Sequence, residues 1–469
     1  STTHYTYNAA GQQLSVTQGY NDSSVATTTA YSYDAVGRLL DRTIASGDTA
    51  AVPTHYVYNL AGQRTDEYLA YGLSDQRRTR YTYDGAGRLA SVINPASSTH
   101  DTLGETVAYD YDAAGNLVSM LDGNHHETRY EYDPLNRQAA RIAAYGTAQA
   151  LREEYVYDDA GNLVTQRTPT TTPGVYNSST FTYDALNRMD TATYFGSPNV
   201  TVEYDYTLTG QVYSIVDSAY GTVTYGYDAR DRLSSITSPN GVVGYGYDAE
   251  GNRTSMTTTV NSTQVDSLTY GYDAANRLSS VYSSATSGTT TYTYDAVGRL
   301  SLELLPNNVR ASYTYNRRSE VTALSEGLLN QTALASFSYT YDRAGNPLTA
   351  NTTVNGVASN TTYTYDKADR LLTETRSGVT RSYAYDDAGN RTSMVTAAGT
   401  TSYTYNALDQ LTAIDLPGGA VNEITYAYDP RGNQTTETTR TAWVMPSTPA
   451  WRISWNRMVA PRMTSPVLM

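Results

Sequence analysis

One short pattern recurs along almost the whole chain, and it leaves few folds open. Tyr-x-Tyr-Asp, with Asn allowed in place of Asp, starts at Tyr5, Tyr31, Tyr56, Tyr81, Tyr109, Tyr130, Tyr155, Tyr225, Tyr245, Tyr270, Tyr292, Tyr313, Tyr339, Tyr363, Tyr383, Tyr403 and Tyr426. Degenerate copies at Phe181 and Tyr204 bring the number to 19, with neighbours 20 to 28 residues apart. A period of that length predicts one supersecondary unit repeated in tandem, each unit needing its neighbours to bury its face.

The unit reads as a β-hairpin. In Tyr81-Thr82-Tyr83 or Tyr292-Thr293-Tyr294 aromatic and β-branched residues alternate, which puts both rings on one face of a strand. Four turn residues follow, such as Asp84-Gly85-Ala86-Gly87. Asp suits the first position because its carboxylate accepts from the backbone two residues on. The fourth position of a type I turn closed by a bulge needs a positive φ. Across the 19 copies that position holds Gly 12 times, Asn three times (Asn136, Asn187, Asn276), Asp three times (Asp231, Asp369, Asp409) and Ser319 once. Gly, Asn and Asp are the residues that tolerate left-handed backbone at least cost. A second strand follows, as in Arg88-Leu89-Ala90-Ser91-Val92. A Ser/Thr/Gly/Asn loop of variable length then leads to the next repeat, where chain entropy tolerates the variation. The residues that carry the unit are clearest in three copies: Tyr81, Tyr83, Asp84, Gly87 and Arg88; Tyr292, Tyr294, Asp295, Gly298 and Arg299; and Tyr383, Tyr385, Asp386 and Gly389.

Composition fits a repeated part rather than a dry core. Tyr occurs 46 times against three Phe and three Trp, so nearly all the aromatic area comes from the ring that carries a hydroxyl. There is no cysteine, which excludes disulfides and thiolate metal sites. The net charge is −14 and Lys367 is the one lysine among 32 basic residues. With no basic stripe, the charge works against nucleic acid and anionic membrane as partners, and no nucleic-acid partner is expected. No stretch reaches the length of a membrane span.

A lone hairpin is marginal in water, so the hairpins must pair side by side. Nineteen of them give about 38 strands and a sheet some 180 Å long at roughly 4.8 Å per strand. Strand twist coils a sheet of that length, and winding on itself covers its faces. The expected fold class is therefore all-β: tandem hairpins in a continuous antiparallel sheet that spirals into a tube or shell.

The units Tyr-x-Tyr-Asp-x-x-Gly-Arg-Leu (Tyr81 to Leu89, Tyr292 to Leu300) and Tyr-x-Tyr-Asp-x-x-Gly-Asn (Tyr383 to Asn390) resemble the rearrangement-hotspot, or RHS/YD, repeat. The resemblance implies a β-sheet wound into a hollow cocoon, as in bacterial polymorphic toxins, the encapsulating subunits of insecticidal toxin complexes, and teneurins. In the toxins the cocoon encloses a C-terminal effector beyond a self-cleaving core. The nearest match to that core, Asp429-Pro430-Arg431-Gly432-Asn433, falls in the ordinary turn register of the last repeat, so no protease residues are carried over.

The array occupies residues 1–440. Residues 441–469 differ: from Trp443 on there are three Trp, four Met, four Pro and three Arg without an acid or a Tyr, and disorder or a boundary artefact is expected there. The chain opens at Ser1, four residues before a repeat, as a piece of a longer protein would.

Few residues suggest chemistry. Asp opens the turn in 14 copies, and turn capping accounts for these carboxylates. His125 and His126 are the only clustered imidazoles and offer metal ligands, but a solvated loop is the plainer expectation. Arg follows the left-handed residue in eight copies, including Arg38, Arg88, Arg137, Arg277 and Arg370; pairing with an Asp of an adjacent turn is expected. The tyrosines should stack across strands as a ladder, with hydroxyls free for a lumen that holds an unfolded polypeptide or stacks on sugar rings. The resulting expectation is a structural shell, not an enzyme, with no cofactor or metal, that encloses a C-terminal toxin polypeptide and is secreted or displayed on a bacterial surface. The alternative is an extracellular adhesion or carbohydrate-binding module.

Overall fold

A computed structural model describes residues 2–95, 103–170, 172, 175–196, 198–329, 333–418 and 423–440; the tail from residue 441 lies outside these. Two strands per repeat give 38 strands, from β1 (Thr3–Tyr7) to β38 (Gln434–Arg440), and no helix occurs among the described residues. No helix is therefore long and apolar enough to cross a membrane. Every strand pairs antiparallel with the next one in sequence, so the sheet is an unbroken meander. All 19 tight turns lie along one rim, the turn rim, and the variable connections along the other, the loop rim.

The hairpin of β7 (Arg77–Tyr83) and β8 (Leu89–Pro95) shows why the sequence folds this way. Tyr81 faces Val92 and Thr82 faces Ser91, after which the register slips by one residue at Tyr83, which faces Leu89. The slip is the bulge that a type I turn with a left-handed fourth residue produces. Gly87 has φ +81°, and all 19 residues in its position fall between +56° and +97°, Asn136, Asp231 and Ser319 included. The residue between the two tyrosines is exposed in most repeats, as strand alternation requires.

The wall is thin. Among the described residues no large apolar side chain is fully buried, and the buried apolar set is mostly alanine with Val52, Tyr56, Ile142, Phe181 and Val202. Stability therefore comes from neighbour-to-neighbour contacts along the array rather than from one core.

The sheet coils back on itself. The turn between β25 (Gly288–Tyr294) and β26 (Leu300–Leu304) meets the connection between β2 (Gln13–Gln18) and β3 (Thr27–Tyr33): Val297 lies so close over Gly19 that a Cβ built there would be 2.5 Å from Val297 Cγ1. The meeting point then advances in step. Arg317 pairs with Asp48 at 3.4 Å and Arg343 with Asp75 at 2.8 Å. Arg370 pairs with Glu105, and Asn124 donates to Asp386 at 3.1 Å. Leu408 and Gln410 line a cleft with Ala148 and Leu151. The last turn, between β37 (Glu423–Tyr428) and β38, lies beside the connection between β14 (Leu163–Pro169) and β15 (Tyr176–Tyr183). Each turn of the second coil thus sits on a connection 23 strands earlier.

Candidate functional site: the repeat clasp and the seam between coils

Two arrangements carry the polar chemistry of this molecule: a clasp between successive repeats and a seam between successive coils.

The clasp starts at the turn. Asp84 Oδ1 accepts from the backbone N–H groups of Ala86 and Arg88, both at 2.9 Å, and Oδ2 accepts from Arg88 Nε at 2.7 Å. The Arg88 backbone N–H, then its guanidinium and the Ala86 N–H, hold the Asp84 carboxyl below the usual carboxylate range. Arg88 also reaches forward. Its Nη1 donates to the carbonyl of Asp112 at 2.7 Å, and its guanidinium lies 4.8 Å from the ring centre of Tyr111. Tyr111 completes the clasp by donating its hydroxyl to the Leu89 carbonyl at 2.9 Å. Arg299 repeats this with Asp295, the Asn316 carbonyl and the ring of Tyr315.

This geometry corrects the expected pairing. All eight post-turn arginines bridge to the Asp of their own turn, not of an adjacent one. All eight stack on the second tyrosine of the following repeat. In these eight repeats arginine on tyrosine takes the place of the expected tyrosine-on-tyrosine stack, because the short turn delivers a cation over the ring of the following repeat.

The tyrosine hydroxyls are also committed differently from a lumen lining. In 17 repeats the second tyrosine donates to a backbone carbonyl of the preceding hairpin, at 2.6–3.0 Å. Tyr83 reaches Arg64, Tyr294 reaches Leu278 and Tyr385 reaches Leu371. Phenylalanine would leave these carbonyls without a donor. The first tyrosines pack beside charge: Tyr81 lies under Arg64 and Tyr383 donates to Glu374 Oε2 at 3.3 Å. Burial pushes the hydroxyls of Tyr81, Tyr292, Tyr383 and Tyr385 up; burial and Glu153 push Tyr155 up to about 12.

A second version of the clasp was not visible in advance. Where Asn replaces the arginine, its amide binds the turn Asp and also reaches the side chain of the next left-handed residue: Asn116 to Asn136, Asn162 to Asn187, Asn252 to Asn276 and Asn390 to Asp409. Asp386 is held in this way by Asn390, with Gly389 at φ +92°. The Asn and Asp residues at positive φ are therefore also partners for the preceding repeat.

The seam uses other residues. Arg77 pairs with Asp342 at 2.9 Å and with Asp369, adding to the Arg317, Arg343 and Arg370 pairs. Arg370 joins both arrangements: it binds Asp366, whose side chain is 1% exposed, donates to the Asp386 carbonyl and crosses to Glu105. The signal that could have located the seam was the charge at the turn tips, where Arg317, Arg318, Arg343 and Lys367 fall in consecutive repeats.

The histidines also lie at the seam. His126 is half-buried rather than solvated, with Nδ1 3.3 Å from Asp122 and 3.9 Å from Asp409, and His125 holds a φ of +64°. Asp122, His126 and Asp409 could hold a metal ion by their spacing.

Comparison with known proteins agrees with this architecture. The sequence profile of the RHS Repeat family matches in eight stretches, seven of them overlapping a neighbour, that span residues 96–148, 206–264, 272–307 and 365–442. No curated protein matches the sequence. Among solved structures, the crystal structure of TcdB2-TccC3-Cdc42 is 16% identical over 92% of this chain and 27% of its own, with a TM-score of 0.66. That of TcdB2-TccC3 without its hypervariable C-terminal region is 16% identical over the same shares, with a TM-score of 0.67. The Photorhabdus luminescens Tc holotoxin pore gives 16% identity, 94% and 26% coverage and a TM-score of 0.52. This chain thus spans about a quarter of the length of the chains it matches, and at this identity the likeness is one of fold. With repeats that match the profile, and turns, bulges and clasps in every part of the array, the chain is a member of the RHS-repeat family, built as a wound shell like those of the toxin complexes.

Proposed function

We propose that the chain is a section of the wall of a hollow bacterial shell that encloses a polypeptide joined to its C-terminal side, a toxin, for release outside the cell, and that the repeats themselves catalyse nothing. The observation that carries this reading is the closure of the coil after 23 strands. At about 4.8 Å per strand the wall is roughly 110 Å around, or roughly 35 Å across between backbones. Side chains reduce the clear width to about 25 Å, taking half of a 10 Å sheet spacing from each wall. A folded domain of about 50 residues has a radius of gyration near 10 Å and fills that width. The space thus favours an extended or unfolded chain over a folded domain of ordinary size.

The test is a fusion. An unstructured peptide attached after Met469 is expected to be cut by an added protease more slowly than the same peptide free in solution. A well-folded domain of about 150 residues, too wide for the lumen, should gain no such protection. Cleavage of the fused peptide at the free rate would overturn the enclosure reading, and a glycan-array signal lost on loop replacement would favour an adhesive surface instead.

A further inference from the structure

One connection on the loop rim is built like a turn of the other rim. Between β10 (Leu117–Leu121) and β11 (Glu127–Tyr132), the Asp122 N–H donates to the His126 carbonyl and the Asp122 carbonyl accepts from the His125 N–H. Asp122 Oδ1 caps the turn by accepting from the His126 N–H at 2.8 Å. His125 holds the left-handed position at φ +64°, so His126 stands where Arg88 stands after its own turn. There the likeness ends. Arg88 Nε donates to Asp84 Oδ2 at 2.7 Å. His126 Nδ1 lies 3.3 Å from Asp122 Oδ2 and 3.9 Å from Asp409 Oδ1, and it is buried without a hydrogen-bond partner. A buried polar atom needs a partner, and one set between two carboxylate oxygens is served by a cation that all three can share.

The second coil fixes this place from two turns. Gly123 meets the turn between β33 (Val379–Tyr385) and β34 (Arg391–Thr396) so closely that a Cβ would lie 1.9 Å from the Asp387 carbonyl oxygen. Asn124 bonds both Asp386 and the Ala388 N–H of that turn. Asn390, at its end, donates to Asp409 Oδ1 at 2.8 Å. Asp409 is the left-handed residue of the next turn, between β35 (Gly399–Tyr405) and β36 (Leu411–Asp415). The Asn390 amide thus orients the one carboxylate that comes from the second coil.

We propose that Asp122, His126 and Asp409 bind a divalent transition-metal ion, zinc by preference, that fastens the first coil to the second. The three ligand atoms lie within 4.8 Å of one another. On a tetrahedral zinc with bonds of about 2.0–2.1 Å, ligand atoms stand about 3.3–3.4 Å apart. The edge from His126 to Asp122 has that length, and the edge to Asp409 is about half an ångström longer. One imidazole with two carboxylates suits zinc, whereas calcium and magnesium take oxygen ligands. Asp409 is exposed, which leaves the fourth position to water. Asn390 is the outer partner that holds a ligating carboxylate in place. The site lies within the wall and requires no enclosed passenger, so it stands or falls separately from the shell's cargo.

Isothermal titration of the whole chain, stripped with EDTA, against zinc chloride at neutral pH tests this. One site per chain with a Kd of about 10 µM or tighter is expected. Asp409→Asn keeps a residue that tolerates left-handed backbone, and Asp122→Asn keeps a turn cap of the kind Asn316 provides. These two variants and His126→Gln should keep the far-ultraviolet circular dichroism and lose at least about 10- to 100-fold in affinity, the loss that removing an outer partner alone produces. With zinc at about 100 times its Kd, hydrogen exchange through opening of this part of the seam should slow by up to about 100-fold, in the β10–β11 connection and in the β35–β36 turn together. Asp409→Asn should abolish the slowing in both. A wild-type chain that binds no zinc, zinc binding that His126→Gln leaves at full strength, or slowing confined to one coil would each overturn the proposal.

Discussion

Replacing a second-position tyrosine by phenylalanine should cost measurable stability at an almost unchanged volume, and Tyr111 is the place to measure it. The hydroxyl donates to the Leu89 carbonyl at 2.9 Å, and the ring lies 4.8 Å from the Arg88 guanidinium. Tyr111→Phe removes only the donor: the ring, its area and most of the cation–π attraction remain. A net hydrogen bond of this kind contributes about 1 kcal/mol, and a carbonyl left without a donor sets the loss at about 1–2 kcal/mol. Tyr111→Leu removes the ring as well and should add about 0.5–1 kcal/mol for the lost cation over an accessible site. The array is quasi-one-dimensional, so the loss should be local. Hydrogen exchange at the amides of β7, β8 and the two strands that follow should quicken by about five- to thirty-fold for the Phe variant, while hairpins beyond residue 250 keep their rates. If Tyr111→Phe changed exchange by less than about two-fold, the hydroxyl would be idle. The preference for 46 tyrosines over three phenylalanines would then need a cause outside the wall.

Asn116 and Asn136 should behave as a pair. Changing Asn116→Arg and Asn136→Gly together converts one form of the clasp into the other, so a double-mutant cycle read by exchange at this turn should show a coupling of about 0.5–1.5 kcal/mol; simple additivity would remove the pairing. Arg370→Ala should cost about 3–5 kcal/mol because the buried Asp366 loses its cation, whereas Arg88→Ala, at a partly exposed pair, should cost about 0–1 kcal/mol; equal losses on denaturant titration would contradict this ranking. Tyrosines pushed above their ordinary value, Tyr155 to about 12, contribute stability that is present below about pH 10 and lost as pH rises through the folded values; circular dichroism should show a loss of sheet beginning between pH 10 and 12. The turn aspartates held low, Asp84 among them, act in the opposite direction: their contribution is present above the ordinary aspartate range, near pH 4, and is lost as pH falls below it, so turn amides should exchange faster under acid once intrinsic rates are divided out.

The repeat made the hairpin legible in detail. Tyr-x-Tyr-Asp fixes the strand, the turn and the bulge because each is a local steric or hydrogen-bond requirement, and the positive φ expected at Gly87 holds even at Ser319. The contacts between repeats were harder to read. Arg88 sits one residue past its turn, and sequence spacing alone does not say whether it folds back on Asp84 or crosses to the next turn; the chelate with its own carboxylate succeeds because Nε and the backbone N–H reach the two oxygens together. The seam was not legible at all, since Asp75 and Arg343 meet across 268 residues and only the coil's circumference brings them together. The wound sheet itself was expected from strand number and twist, but neither quantity sets how many strands complete a turn.

That number has a consequence for how such a wall tolerates change. Cross-coil neighbours are separated by 278 residues at Gly19 and Val297 (297 − 19) but by 262 at Asn124 and Asp386, while both keep the 23-strand offset. Position around the ring is thus counted in strands and is blind to the length of the connections. A loop inserted in a connection on which no turn sits bulges from the rim without moving any later contact, whereas loss or gain of one complete hairpin shifts every subsequent turn onto a different neighbour. Evolution of this wall is therefore free in its loops and discrete in its repeats.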